Sequence, residues 1–170
     1  MGQRRKAREC ALQILFEIEF NAADPQALVR QYWRQRKASE DVRSYAGWLV
    51  DNILDRREEI DAAIQAASKN WRLARMGAVD RTILRVAVCE LLYEPALAPA
   101  IVINEAIEIA KRYSGQDSAT FVNGILDAVR KRREPAAGPR SGATQEGHHE
   151  QDRGHPGKGT RSRAARRAGD

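Results

Sequence analysis

Hydrophobic positions in this chain recur with helical spacing over most of its length. Ala7, Cys10, Ala11, Ile14, Leu15 and Ile18 fall at i, i+3, i+4, i+7, i+8 and i+11, which predicts one amphipathic helix from Arg4 to Phe20. Asn21 to Pro25 interrupts the pattern, and Leu28, Val29, Tyr32 and Trp33 mark a second helix. Ser39 is placed to cap a third helix, with Val42, Tyr45, Ala46, Leu49, Val50 and Ile53 facing inward. After a break near Asp55 to Arg57, Ile60, Ala63, Ile64 and Ala67 resume the period. Ser68 to Gly77 reads as a connector with at most one short turn. Further helices are expected over Val79 to Tyr93, closed by Pro95 and Pro99, over Ile101 to Tyr113, and over Ser118 to Arg132. No stretch alternates as a strand would, so the fold class is all-α, with seven helices and short connections.

The pattern stops at the C-terminal end. From Pro135 onward the chain has no Val, Ile, Leu, Met, Phe, Trp, Tyr or Cys. A segment that buries no apolar surface cannot offset its ordering entropy, which predicts a folded domain over 1–133 and a disordered Gly/Arg-rich basic tail over 134–170. Charge divides in the same way. The formal net charge is +6, made of +3 over residues 1–10, −2 over 11–130 and +5 over 131–170. A slightly acidic body with basic ends suits a protein that meets polyanions through particular surfaces. Cys10 and Cys89 form no disulfide framework, and no apolar run approaches the roughly 20 residues of a spanning helix, so a cytoplasmic protein without a membrane anchor is expected.

Candidate chemistry is sparse. All three histidines (His148, His149, His155) fall in the tail, and no metal or cofactor site is assigned. Glu105 and Glu108 stand one turn apart, but Glu108 with Lys111 is an ordinary helix-stabilising pair, and no catalytic residue is assigned. Arg4, Arg5, Lys6 and Arg8 crowd the start of the first helix, where the helix dipole disfavours cations and an outside anion would compensate. Arginine forks grip phosphate bidentately, and 23 of the 29 basic residues are Arg. Phe16, Phe20, Tyr93, Tyr113 and Phe121 offer faces of the kind on which single-stranded RNA stacks, although Phe121 also fits an apolar row with Ile125. Trp33, Trp48 and Trp71 read as packing residues. Asp80, Arg81 and Arg85 are spaced for local charge pairing along one helix. Asn104 and Asn123 adjoin apolar residues and are expected to tie helix ends to loops, and Gly124 suggests a close helix approach. Asp117 or Ser118 should cap the last helix.

Several strings, in this order, carry a resemblance: Arg8-Glu9-Cys10-Ala11, Val79-Asp80-Arg81-Thr82-Ile83-Leu84-Arg85-Val86-Ala87 with Glu90-Leu91, Ile103-Asn104-Glu105-Ala106-Ile107-Glu108-Ile109-Ala110-Lys111, and Phe121-Val122-Asn123-Gly124-Ile125-Leu126-Asp127. Over about residues 3 to 130 the chain resembles the NusB family of bacterial transcription antitermination factors. The resemblance implies two three-helix subdomains plus a short helix, and no enzymatic activity. It also implies binding to boxA-type single-stranded RNA of ribosomal RNA leaders, pairing with the ribosomal small-subunit protein that doubles as NusE, and action on RNA polymerase elongation complexes to prevent premature termination. The implied RNA surface comprises Arg4, Arg5, Lys6, Arg8, Phe16, Asp80, Arg85, Tyr113, Asp117 and Phe121. Self-association stays open, since some members of the family are homodimers. The competing readings are the NusB-like domain of ribosomal RNA cytosine methyltransferases, whose catalytic domain would have to follow, and a helical adaptor that binds only protein. The tail after Arg133 departs from the family pattern.

Overall fold

Residues 2–133 are described in the computed structural model of this chain. Among them lie seven α-helices: α1 Gln3–Phe20, α2 Pro25–Gln35, α3 Glu40–Asp55, α4 Arg57–Ala67, α5 Ala78–Tyr93, α6 Pro99–Tyr113 and α7 Gln116–Arg133, with a 3-10 turn at Leu73–Arg75 before α5. The expectations for the tail over 134–170 and its histidines lie outside the described residues.

Helix boundaries follow local chemistry. Asp24 accepts a 2.9 Å hydrogen bond from the Ala27 amide and Pro25 occupies the first turn of α2, since its missing N–H costs nothing there. Ser39 caps α3 by accepting from Val42 N. Arg56 ends α3 and starts α4 in one residue, with φ −119° and ψ 27°. Pro99, expected to close α5, instead opens α6 at a position where proline is tolerated. Gly115, at φ 99°, ends α6 in the left-handed region, and its amide returns to the Ala110 carbonyl at 3.0 Å.

Helices α1, α2 and α3 make one three-helix group and α5, α6 and α7 the other, with α4 packed on α5 and α7. α1 lies against α3 and also against α5, so it joins the two. Ile14, Leu49, Ile53, Ile60, Ile64, Leu84 and Leu126 are fully buried. Each contributes about 1.5–3 kcal/mol of burial. α5 is buried without interruption from Thr82 to Leu91, so Arg85 and Glu90 enter the interior with their apolar neighbours. No helix among the described residues is long and apolar enough to cross a membrane.

Three expectations are corrected. Asn104 and Asn123 are exposed, because each falls on the solvent side of its helix despite apolar neighbours in sequence. Gly124 is exposed too, and a Cβ there would meet nothing within 4 Å, so it marks no close helix contact. Trp33 and Trp48 pack half-buried against the core as expected, but Trp71 is 59% exposed.

Candidate nucleic-acid interface

α1 begins after Gly2 with no side-chain cap and no carboxylate in its first turn, and Arg4, Arg5 and Lys6 project from it. Their positive charge adds to that of the helix dipole. Arg4 stacks over the Tyr45 ring at 4.1 Å, and Lys6 is exposed. Arg5 grips Glu105 of α6 through two bonds, Nε to Oε2 at 2.7 Å and Nη2 to Oε1 at 2.8 Å. That bond lowers the Glu105 pKa and raises that of Arg5, each stabilising the other's charge. Arg5 remains one-third exposed and can still meet a ligand along its edge.

Arg8 stands apart from this group. Its side chain is 3% exposed and its Nε lies 2.9 Å from both oxygens of Glu90, itself 1% exposed. Tyr45 donates its hydroxyl to the same carboxylate, and burial, then Glu90, raise the tyrosine pKa. The expectation that Arg8 meets RNA phosphate is therefore corrected. It lies on the inward side of α1, one turn beyond Arg4, and its charge is used up in the interior. Arg85 is corrected for the same reason: 8% exposed, it forms a fork to Asp61 of α4 at 2.7 and 3.0 Å and reaches Glu19 of α1 at 3.2 Å. Arg81 pairs with Glu19 as well, so the local pairing expected among Asp80, Arg81 and Arg85 is replaced by bonds between helices. Glu108 and Lys111 do pair, at 2.9 Å.

Phe16 and Tyr113, nearly one hundred positions apart in sequence, line one open groove of about 340 Å³ with Leu12, Gln13, Glu17, Arg36 and Val79. Phe16 is 37% and Tyr113 36% exposed. Phe20 extends the aromatic face, its ring 4.9 Å from that of Phe16. Tyr32 donates to Gln13 Oε1 at 2.8 Å and Gln13 donates to the Tyr113 hydroxyl at 3.1 Å, which fixes the groove floor. Arg36 lies over the Tyr32 ring at 4.1 Å and brings a cation to the rim. Gln13 and Arg36 were not legible as site residues. Nothing in their local sequence sets them apart; only the packing of α1, α2 and α6 brings them together.

Beyond Val79 the surface continues through Asp80, whose Oδ2 accepts from Ser118 Oγ at 3.0 Å. Because Ser118 turns to Asp80 and α7 starts earlier, at Gln116, the expected cap is corrected: Asp117 is exposed inside the first turn, where its charge complements the helix dipole. Phe121, one turn on, is half-buried and meets Trp71 edge to face at 6.3 Å between ring centres. The arrangement thus combines an exposed cationic helix start, an aromatic groove with a cationic rim and a second aromatic pair. Such features bind single-stranded nucleic acid through phosphate and base face together.

The sequence model of the NusB family matches residues 5–131 of this chain. The transcription antitermination protein NusB of Sorangium cellulosum is 40% identical over 129 residues, covering 76% of this chain and 92% of that protein. The NusB of Geobacter sulfurreducens is 43% identical over 130 residues, covering 76% and 94%. Among solved structures, NusB of T. maritima superposes with a TM-score of 0.69 at 34% identity over 78% of this chain and 93% of its own. A chain from a crystal structure of antitermination factors NusB and NusE in complex with dsRNA matches with a TM-score of 0.71 at 29% identity, over 78% and 98%.

Proposed function

This chain belongs to the NusB family, and from that membership we propose that it is a transcription antitermination factor. It binds boxA-type single-stranded RNA of ribosomal RNA leaders together with NusE and holds RNA polymerase in the elongating state. It acts in the cytoplasm and performs no catalytic step. The observation that carries the RNA reading is the open groove of Phe16 and Tyr113, on the same helix α1 whose start presents Arg4, Arg5 and Lys6. From Arg5 to Phe16 is about 16 Å along the helix axis, enough for a few nucleotides to reach from one to the other. Phosphates would lie against the arginines and bases on the aromatic rings. Asp80, Asp117 and Phe121 extend the proposed contact onto α5 and α7, while Arg8 and Arg85 hold the helices that present it. The solved relative with NusE and dsRNA supports the pairing with that partner.

Titration of fluorescently labelled boxA-type RNA, with and without NusE, at several salt concentrations tests the proposal. The expected result is binding that weakens with salt and tightens when NusE is present. Absence of RNA binding under both conditions would overturn it.

A further inference from the structure

The connector between α4 and α5 is better held than a loop of its composition requires. Ser68 Oγ donates to the Trp71 carbonyl at 2.9 Å and Gln65 Nε2 to the same oxygen at 3.1 Å. Gln65 Oε1 accepts from the Leu73 amide at 2.9 Å, and Arg81 Nη1 donates to the carbonyls of Leu73 at 3.3 Å and Met76 at 3.0 Å. Three side chains thus fix an irregular backbone from both flanking helices. What they hold out is a large aromatic side chain: Trp71 is 59% exposed, braced edge to face by Phe121. The indole thus presents an open ring face to solvent in a fixed position, the geometry that base stacking requires.

Its surroundings are cationic. Residues 66–79 contain Lys69, Arg72 and Arg75, all exposed, and no carboxylate. Cations interleaved with a rigid aromatic face are the elements with which proteins hold single strands: the ring takes a base and the flanking charges take phosphates. The face is also continuous with the proposed RNA groove. Val79 lines that groove, Asp80 beside it accepts from Ser118, Ser118 lies one turn before Phe121, and Phe121 meets Trp71.

Resting on the RNA reading above, we propose that Trp71 is a base-stacking platform and that Lys69, Arg72 and Arg75 form its phosphate contacts, a second single-strand RNA subsite on the α4–α5 connector. Because the connector is already ordered by Gln65, Ser68 and Arg81, RNA binding there incurs little ordering cost.

The test compares the whole chain with Trp71→Ala, with Trp71→Phe, and with a triple variant in which Lys69, Arg72 and Arg75 are each replaced by Gln. Affinity for labelled single-stranded boxA-type RNA is measured across a salt series, and for NusE separately. Trp71→Ala should weaken RNA binding about tenfold, within a range of about five- to a hundredfold, at unchanged salt slope. Trp71→Phe should retain most of the affinity. The triple variant should flatten the log–log salt slope by about 2, at about 0.7 per phosphate on a single strand. Melting temperatures should not move, since all four side chains are exposed; should Trp71→Ala fail to fold, the other two variants carry the test. Wild-type RNA affinity and slope in all variants would overturn the subsite. So would a loss confined to NusE binding, which would make this a protein-docking face. An unaltered chain that binds no RNA would bring down the function proposed above and this subsite with it, whereas normal binding with silent variants removes only the subsite.

Discussion

Four cations crowd the first turns of α1, and their burial sorts them into three kinds. Arg4 and Lys6 are exposed, Arg5 is partly committed to Glu105, and Arg8 is wholly committed to Glu90. Substitution should therefore separate binding from folding. Removing one partner of a buried pair leaves an uncompensated charge, so Arg8→Ala is expected to cost about 3–5 kcal/mol in urea unfolding. The double substitution of Arg4 and Lys6 by Ala should leave the unfolding midpoint in place and flatten the RNA salt slope by about 1.4. A stable Arg8→Ala protein with reduced RNA affinity would reverse the assignment. All four residues looked alike in sequence because charge and spacing do not record which side of a helix meets a neighbour.

Elements respond to glycine in opposite ways at two positions. Gly124 lies in the interior of α7 on an open face, with nothing within 4 Å of an added Cβ. Gly124→Ala removes backbone freedom from the unfolded chain at no steric cost, so it should stabilise by up to about 1 kcal/mol. Gly115 also has room, but its φ of 99° is one that L side chains reach only with strain. Gly115→Ala should destabilise by about 1–2 kcal/mol and loosen the junction of α6 and α7. Thermal melts of the two variants check both signs. Helix existence was legible throughout, from the apolar period alone. Helix starts were not always so: Pro99 opens α6 and has no part in ending α5, which stops at Tyr93, and the residues on either side of the proline do not say which.

At the level of the whole molecule, the two helical groups are held together by buried apolar contact between α1 and α5 and by ion pairs that span long sequence separations. Arg5 with Glu105 joins α1 to α6, Arg8 with Glu90 joins α1 to α5, and Arg85 joins α5 to both α4 and α1. Glu105 gives this architecture a pH dependence. Its folded pKa is lowered from the ordinary 4.5, chiefly by its hydrogen bonds to Arg5, so the pair's stabilisation is fully present above the unfolded value. It fades as pH falls from there through the lowered folded value. The stability gap between the wild-type chain and Glu105→Gln, measured by urea unfolding, should be constant near neutrality and shrink in acid below about pH 4.5. A gap independent of pH down to acid unfolding would show that Glu105 contributes by packing alone.

The sequence by itself determined the all-α class, the seven helices and the apolar face of each, because a 3.6-residue period states directly which positions seek burial. It also carried the family, whose strings fall on the segments that build the core around α5. The tertiary structure alone decided the fate of the polar residues. Arg8, Arg85 and Glu90 went inward because partners 82, 24 and 45 positions away, Glu90, Asp61 and Tyr45, were brought within hydrogen-bonding distance. Trp71 went outward because Gln65 and Ser68 hold its carbonyl there, while Arg81 fixes the carbonyls of Leu73 and Met76 further along the connector. A hydrophobic period is local and can be read in one helix at a time. An ion pair or an exposed aromatic is a property of two or more elements, and exists only once they are packed.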